Sequence, residues 1–222
     1  METNPWTSGG LPLLNIAMVT AVRESLGPGD RVVLWVQGCR NVCPGCISPE
    51  WRSLIPAKFI SPEALAQVVD SYGLSGLTLS GGEPMLQAAG LAAMIRLLRC
   101  NMELSVICFT GYRIEDLHHS PPGPGVLELL AETDLLIDSP YLAELNDNKG
   151  LRGSSNQRLL PLTNRLVGHV EHLGSRERMV EIIIEEDGAI LAGVPPAGVV
   201  NTFHAFVEQA NRLNSRRIAS IS

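Results

Sequence analysis

The chain has 222 residues, of which 45% are hydrophobic and 18% are charged, and its formal net charge at pH 7 is -6. This composition excludes an intrinsically disordered chain, and the length suits a single domain over residues 1–222. The acidic balance argues against a nucleic-acid-binding protein, because Lys and Arg form no extended cluster.

The amino-terminal stretch METNPWTSGGLPLLN lacks a basic segment followed by a long apolar one, and no apolar run approaches the ~20 residues of a membrane helix. We therefore expect a cytoplasmic protein that does not bind a membrane. In that compartment clustered thiols are more often metal-binding or catalytic than disulfide-bonded. Two of the five cysteines, Cys100 and Cys108, stand apart in apolar surroundings and are predicted to be small buried residues.

Apolar strands and amphipathic helices alternate between about residues 31 and 141. Strands are predicted at RVVLWVQG from Arg31, GLTLSGGEP, LSVICFTGY from Leu104 and LLIDSPY from Leu135. Helices are predicted from Ser61, with Pro62 in the first turn and Gly73 as the stop, from Met85, and in PGVLELLAETD. The order β-α-β-α-β-α-β predicts a parallel sheet with right-handed crossovers, in which ligands bind at the carboxyl ends of the strands.

Beyond residue 141 the alternation stops. The stretch LRGSSNQRLLPLTNR is predicted to be a polar loop, and RMVEIIIEEDGAILAGVPP a β-hairpin with Asp187-Gly188 at its turn. An amphipathic helix from about Val199 to Leu213 follows. Earlier in the chain, HHSPPGPGV from His118 predicts a rigid proline-rich loop.

Three cysteines, Cys39, Cys43 and Cys46, lie within GCRNVCPGC at the end of the first long strand. A structural zinc site would need four ligands, and no second Cys or His pair follows at a suitable spacing. His169 and His172 are distant in sequence, and we interpret them as solvated or locally bonded. Three thiolates can instead hold a [4Fe–4S] cluster and leave one iron free to bind a small molecule.

Two elements resemble those of the radical S-adenosylmethionine superfamily: the CxxxCxxC spacing, and the GGEP tetrapeptide at residues 81–84. The stretches GPGDRVVLWVQGC, LLIDSPY and LRGSSNQR are similar to the single-cluster activating proteins of anaerobic ribonucleotide reductase. The similarity covers roughly residues 13–160. It implies an α/β fold, a partial (β/α) barrel with parallel strands. The C-terminal β-hairpin and helix that the sequence pattern predicts, over about residues 161–222, go beyond the minimal activating protein.

The resemblance implies that Cys39, Cys43 and Cys46 are catalytic and are the metal ligands of one [4Fe–4S] cluster per chain. The open iron would bind S-adenosyl-L-methionine, whose reductive cleavage yields methionine and a 5′-deoxyadenosyl radical that abstracts a hydrogen atom. Cofactor contacts are expected at the cysteine loop and at the strand ends, namely at Gly45, Cys46, Ile47, Gly81, Gly82, Glu83, Thr110 and Asp138.

We expect specific roles for the glycine turn, the cysteine loop and Asp138. Gly81 and Gly82 are expected to permit close approach of the cosubstrate, because a Cβ there would block it, and Glu83 to stabilise their turn. By resemblance, Gly45 and Ile47 contact adenine. Asp138 is either a ribose or methionine contact or a cap of nearby backbone amides, and both alternatives stay open.

Other polar residues lie near the predicted barrel mouth. Thr110 and Gly111 end the third strand and are expected on the same face as Asp138. In RGSSNQR, Gly153 permits a left-handed backbone. The neighbouring Arg152, Asn156 and Arg158 could orient the backbone of a partner protein or close the barrel. The alternative is a polar loop that satisfies its own hydrogen bonds.

The resemblance implies a radical S-adenosylmethionine oxidoreductase that installs a glycyl radical on a partner such as anaerobic ribonucleotide reductase. A reductant such as flavodoxin or ferredoxin would supply the electron, and an exposed cluster implies an anaerobic setting. One alternative is an enzyme of the same chemistry that modifies a peptide or small molecule in a dedicated pathway. The other is a non-catalytic iron–sulfur or zinc binding module.

Overall fold

The structure, a computed structural model, describes residues 7–8, 11–185 and 188–219. The strands are β1 (Thr7–Ser8), β2 (Leu11–Pro12), β3 (Leu14–Val22), β4 (Arg31–Val36), β5 (Phe59–Ile60), β6 (Gly76–Gly81), β7 (Ser105–Phe109), β8 (Leu135–Asp138), β9 (Arg158–Pro161), β10 (Val180–Glu185) and β11 (Gly188–Gly193). The α-helices are α1 (Pro62–Asp70), α2 (Ala88–Arg99), α3 (Ile114–His119), α4 (Val126–Ala131), α5 (Val170–Ser175) and α6 (Val199–Ala219).

The main sheet has seven strands in the order β5-β3-β4-β6-β7-β8-β9. Strands β4, β6, β7 and β8 are parallel, which confirms the predicted alternation. Antiparallel strands flank this core, since β3 pairs with β4 and β9 pairs with β8. The described strands leave the sheet open between β5 and β9, so the α/β architecture is that of a partial barrel.

The first helix shows why the predicted helix boundaries were correct. The Ser61 hydroxyl accepts a hydrogen bond from the Ala64 amide at 3.2 Å and caps α1, while Pro62 occupies the first turn. Gly73 then adopts a positive φ of 65° after the helix ends, a conformation in which glycine avoids the steric cost of a Cβ.

The two faces of the sheet are covered by different parts of the chain. Every residue of β4 is buried, and alternate side chains point to opposite faces. On one face Val32 and Leu34 share a core with residues of α1, α2 and α4. On the other face Val33 and Trp35 pack with residues that follow β8; these are Leu151, Leu166, Leu173 and Ala192. The later part of the chain therefore fills the face that the helices leave open.

Several predictions about local structure were wrong. The polar loop contains strand β9, and the proline-rich loop begins within α3, which ends at His119. Cys108 is buried as predicted, but Cys100 is exposed because it caps the solvent-facing end of α2. Strand β3 was not predicted, since its place depends on pairing with β4 rather than on a strong pattern of its own.

The predicted carboxyl-terminal hairpin and helix are both present. Strands β10 and β11 pair antiparallel with Glu185 opposite Gly188, and the predicted turn residue Asp187 lies outside the described residues. Helix α6 begins at Val199 as predicted and continues past Leu213. In the part of the chain that the structure describes, no helix has the length and apolar character to cross a membrane.

Glu181 attaches the hairpin to the turn between β3 and β4. Its carboxylate accepts hydrogen bonds from the backbone amides of Arg23 at 3.0 Å, Glu24 at 3.3 Å and Ser25 at 3.1 Å. Arg176 reinforces the contact by donating to the Glu24 carbonyl at 2.8 Å. Burial raises the pKa of Glu181, but these hydrogen bonds outweigh it, and the pKa is lowered overall.

Because the folded-state pKa of Glu181 is lowered, its stabilising effect is present above the ordinary glutamate value of 4.5 and is lost as pH falls through the folded value. We expect the protection factors of the β10 amides, which compare each exchange rate with that of the unfolded chain at the same pH, to fall below that pH, and Glu181→Gln to lower them already at pH 7. Hydrogen exchange followed by mass spectrometry measures both effects. Glu177→Gln, at an exposed neighbour, should leave exchange unchanged; equal acceleration in both variants would contradict the assignment.

Candidate functional site

The cysteine loop leaves the carboxyl end of β4 and returns alongside its own first residues. The Gly38 amide donates to the Trp51 carbonyl at 2.8 Å, and the Cys39 amide donates to the Arg52 carbonyl at 3.1 Å. The Trp51 ring packs on Trp35 with a centroid separation of 5.4 Å. These contacts fix the base of the loop at the strand end, where the sequence placed it.

Three buried side-chain amides, which the sequence analysis missed, hold this loop to the sheet. Gln87 donates to the carbonyls of Asn15 and Gln37 at 3.0 Å each. Gln37 in turn donates to the Ser53 carbonyl at 2.8 Å, and the Asn15 side chain accepts from the Ala57 amide at 2.8 Å. A polar residue within or directly after an apolar strand is the signal that could have found Asn15 and Gln37. Gln87 lies just before α2 and carries no such signal.

The three thiols of the loop lie near one another. Cys39, Cys43 and Cys46 are all partly exposed, and the Cys46 amide donates to the Cys43 carbonyl at 3.2 Å. Gly45 makes this tight turn with a φ of 72°, where glycine is favoured. Burial, then the charge of Glu83 and to a smaller extent the neighbouring thiols, raise the pKa of Cys39 to about 11. Burial also raises the pKa of Cys43, partly offset by the Tyr141 backbone amide.

This donor set has the chemistry of an iron–sulfur site. Among the described residues no group of three or more His, Cys, Asp or Glu side chains converges to hold a single metal ion. Zinc needs such convergence, usually of four ligands, whereas the thiolates of a four-iron cluster bind different irons and need not meet at one point. Three soft sulfur ligands at an open strand end therefore suit a cluster with one iron left free.

Gly81 and Gly82 lie against the base of the cysteine loop. The Gly82 amide donates to the Val36 carbonyl at 2.7 Å, and the Glu83 amide donates to the Gly38 carbonyl at 2.9 Å. A Cβ on Gly82 would collide with the Gly38 carbonyl, and one on Gly81 would lie 2.6 Å from the Val36 nitrogen. Close packing within the protein thus requires both glycines, in addition to any approach of a cosubstrate.

Glu83 joins the cysteine loop to two strand ends. Its side chain is only 1% exposed. One oxygen accepts from the Met85 amide at 3.0 Å and the Thr110 hydroxyl at 2.8 Å, and the other from the Gly111 amide at 2.9 Å and the Asn41 side chain at 3.4 Å. Burial raises the pKa of Glu83 to about 7 despite these hydrogen bonds. Glu83 stabilises its turn as predicted, and it also fixes the ends of β6 and β7 next to the loop.

The remaining predicted contacts differ in their accessibility. Thr110 is buried and its hydroxyl donates to Glu83, while a Cβ on Gly111 would lie 2.5 Å from the side-chain nitrogen of Asn41. Ile47 is 48% exposed on the cysteine loop and remains open to a ligand.

For Asp138 the structure favours the capping alternative. Its buried carboxylate accepts from the Ile114 amide at 2.9 Å, which caps α3, and from two Arg158 nitrogens at 2.9 Å and 2.5 Å. Arg158 also pairs with Glu115 at 2.8 Å. These partners occupy both carboxylate oxygens, so Asp138 holds α3 and β9 at the barrel mouth.

The RGSSNQR loop makes hydrogen bonds both within itself and to the stretch that follows β8, since Asn156 and Gln157 donate to the Pro140 and Ser139 carbonyls. Arg152 pairs with Asp147 at 2.8 Å and donates to the Ser155 carbonyl at 3.0 Å. Gly153 does not use the left-handed backbone that a glycine permits, because its φ is not positive. Instead, the missing side chain leaves room for the Tyr141 ring, since a Cβ on Gly153 would lie 2.8 Å from its Cδ2 atom.

The sequence of this chain was compared with protein families and with known proteins. Residues 25–160 match the family described as 4Fe-4S single cluster domain. The anaerobic ribonucleoside-triphosphate reductase-activating protein of Enterobacteria phage T4 is 32% identical over 149 residues, which are 64% of this chain and 91% of that protein. The protein of the same name from Vibrio cholerae is 34% identical over 142 residues, or 59% of this chain and 87% of its own length.

More distant matches are also found. The pyruvate formate-lyase-activating enzyme of Staphylococcus epidermidis is 26% identical over 152 residues, covering 63% of this chain and 58% of that enzyme. Among solved structures, QueE from Escherichia coli covers 45% of this chain and 52% of its own, with a TM-score of 0.38 and 21% identity. The family match and the similarity to the activating proteins together show that the chain belongs to the 4Fe-4S single cluster domain family and is a radical S-adenosylmethionine enzyme.

Proposed function

We propose that Cys39, Cys43 and Cys46 bind one [4Fe–4S] cluster, and that the enzyme cleaves S-adenosylmethionine to install a glycyl radical on a partner protein. The observation that carries this proposal is the cysteine loop itself, joined to the Gly81-Gly82 turn inside the segment that matches the single-cluster family. Because two relatives are reductase-activating proteins by name, the proposed partner is an anaerobic ribonucleoside-triphosphate reductase.

The bound cluster would supply one electron to the sulfonium of S-adenosylmethionine, delivered by a reductant such as flavodoxin or ferredoxin. The chain's own residues provide binding and orientation. The Gly81-Gly82 backbone packs directly against the base of the cysteine loop, and Ile47 offers an apolar wall for adenine. The buried Glu83 fixes the cysteine loop to the ends of β6 and β7 through its hydrogen bonds with Asn41 and Thr110.

The packing of the sheet supports a macromolecular substrate. The sheet face that the helices leave open is filled by residues such as Leu151 and Leu173, so a substrate has to approach the loop edge from outside. That edge exposes apolar side chains, with Val42 78% and Ile55 76% exposed. Exposed apolar residues around a reactive site suit contact with a protein surface.

A pathway peptide or small molecule is the second candidate substrate. The observation that favours it is the carboxyl-terminal part of the chain, since the phage relative is covered over 91% of its length by only 64% of this chain. This chain therefore carries segments that the relative lacks, and the matched family segment ends at residue 160.

Electron paramagnetic resonance on a mixture of this enzyme, the reductase, S-adenosylmethionine and a reductant tests the proposal. We expect a glycyl radical doublet on the reductase that collapses to a single line when its glycine residues carry deuterium at the α-carbon. Formation of 5′-deoxyadenosine without that signal would reject activation of the reductase and favour the second candidate.

A further inference from the structure

The chain returns from the cysteine loop to the sheet through residues 52–58, which we call the return segment. Its sequence, RSLIPAK, has a cation at each end, Arg52 and Lys58, and no acidic residue, in a chain whose net charge is -6. Arg52 is half-buried and the residues after it are exposed. Between the two cations, Leu54 is 43% and Ile55 is 76% exposed. The return segment is therefore a local surface with an apolar centre and positive ends.

The two cations of the return segment have no partner within the part of the chain that the structure describes. The side chains of Arg52 and Lys58 take part in none of the ion pairs or hydrogen bonds found there, and the buried Arg52 Nε lacks an acceptor. By contrast, Arg96 and Arg99 both pair with Glu132 at 2.9 Å. Both charges of the return segment are thus left to attract the carboxylates of another molecule.

Backbone hydrogen bonds hold the return segment in place beside the first cysteine. The Arg52 carbonyl accepts from the Cys39 amide at 3.1 Å. At the other end, the Lys58 carbonyl accepts from the Ile16 amide at 2.9 Å, and the Lys58 amide donates to the Asn15 side chain at 3.2 Å. A molecule that binds the return segment therefore meets a preformed surface, one hydrogen bond away from a proposed cluster ligand.

We propose that the return segment is the docking surface for the protein that reduces the cluster, and that this protein is an acidic one-electron carrier. The inference rests on the proposed function, which places the cluster on the three cysteines and needs an electron. The reduced carrier loses one electron to the oxidised cluster and leaves as its one-electron-oxidised form. The hydrogen bond from the Cys39 amide to the Arg52 carbonyl gives that electron a short path.

The character of the return segment favours an electron carrier over the protein that receives the radical. An electron reaches the cluster through the backbone, whereas the radical has to meet its target atom directly. Electron-transfer complexes are weak and bury less than about 1,200 Å² in total, which a short segment with charged ends suits. Ile55 therefore belongs to the surface for the carrier, and Val42, between the first two cysteines, is left for the protein substrate.

Two variants change the return segment by different means. Lys58→Glu reverses the charge at one end, and Ile55→Ser removes apolar area without changing the charge. Lys149→Glu is the matched control, because Lys149 is also exposed and the substitution makes the same charge change outside the return segment.

Calorimetric titration of the apoprotein with an acidic flavodoxin, and separately with an acidic ferredoxin, measures docking without the cluster. We expect at least one carrier to bind the wild type, and Lys58→Glu to weaken its binding about tenfold at low ionic strength, because attraction becomes repulsion. Added salt should reduce this difference, since it screens exposed charges. Ile55→Ser should also weaken binding, and Lys149→Glu should bind as the wild type does.

Stopped-flow absorbance of the reconstituted protein measures how fast the cluster is reduced. Reduction by the reduced carrier should slow in Lys58→Glu by the factor found for binding. Reduction by photoreduced 5-deazariboflavin, a small reductant that needs no docking surface, should keep the wild-type rate. Equal slowing with both reductants would overturn the inference, because the substitution would then act on the cluster itself.

Other results separate this inference from the proposed function. Failure of both carriers to bind the wild-type apoprotein, or equal weakening by Lys58→Glu and Lys149→Glu, would overturn the inference and leave the proposed function intact. If Lys58→Glu weakened binding of the reductase and not of the carrier, the return segment would belong to the substrate and the inference would be wrong. A wild-type protein that binds no four-iron cluster would reject the proposed function, and this inference with it.

Discussion

Replacement of Cys43 by alanine should abolish both cluster binding and cleavage of S-adenosylmethionine, while Cys100→Ala should leave both at the wild-type level. Cys43 lies in the middle of the cysteine loop, between the other two proposed ligands, and its removal leaves two thiolates for a cluster that needs at least three. Cys100 is an exposed residue at the far end of α2. Iron and sulfide analysis after anaerobic reconstitution measures binding, and chromatography of 5′-deoxyadenosine measures cleavage.

The paired design separates ligand loss from general damage. Both variants remove one thiol, so a decrease caused by handling or by fewer cysteines would affect them equally. Equal loss of iron from Cys43→Ala and Cys100→Ala would overturn the assignment of Cys39, Cys43 and Cys46 as the ligand set.

Replacement of Glu83 by alanine should cost about 3 kcal/mol of unfolding free energy, because it leaves buried donors without an acceptor. The Met85 and Gly111 amides and the Thr110 hydroxyl all donate to this carboxylate in the folded protein. Urea unfolding of the apoprotein measures the loss. An Ala variant as stable as the wild type would contradict the role of Glu83 as the junction of the strand ends.

The raised pKa of Glu83 also predicts how stability depends on pH. Since burial raises the folded-state pKa to about 7, folding favours the protonated carboxyl, and this contribution is complete below the ordinary value of 4.5 and lost as pH rises through 7. Glu83→Gln should flatten the decrease in apoprotein stability between these pH values. The exposed Glu128→Gln should preserve it, and an unchanged slope in Glu83→Gln would show that another group titrates.

The parallel core of the fold could be predicted because each strand carries its own signal. Strand β4 is buried on both faces and reads as an uninterrupted apolar run, and α1 has a capping serine followed by proline. The flanking strands β3 and β9 carry no comparable signal. Their position depends on pairing with β4 and β8, which is a property of the assembled sheet.

The candidate site was predicted where a motif is local in sequence. The cysteine loop and the Gly81-Gly82 turn have fixed spacings, and the structure brings them together through backbone hydrogen bonds. The role of Asp138 could not be decided from the sequence, because its hydrogen-bond donors Ile114 and Arg158 are distant from it along the chain. The packing role of Gly153 could not be predicted for the same reason, since the Tyr141 ring that fills the space beside it lies in another segment.

The reaction of the wild-type protein with S-adenosylmethionine, after anaerobic reconstitution with iron and sulfide, tests the proposed cluster and its chemistry most directly. We expect about four irons per chain and, with a strong reductant, release of methionine and 5′-deoxyadenosine in equal amounts. A protein that binds a single zinc ion and forms no 5′-deoxyadenosine under these conditions would contradict it.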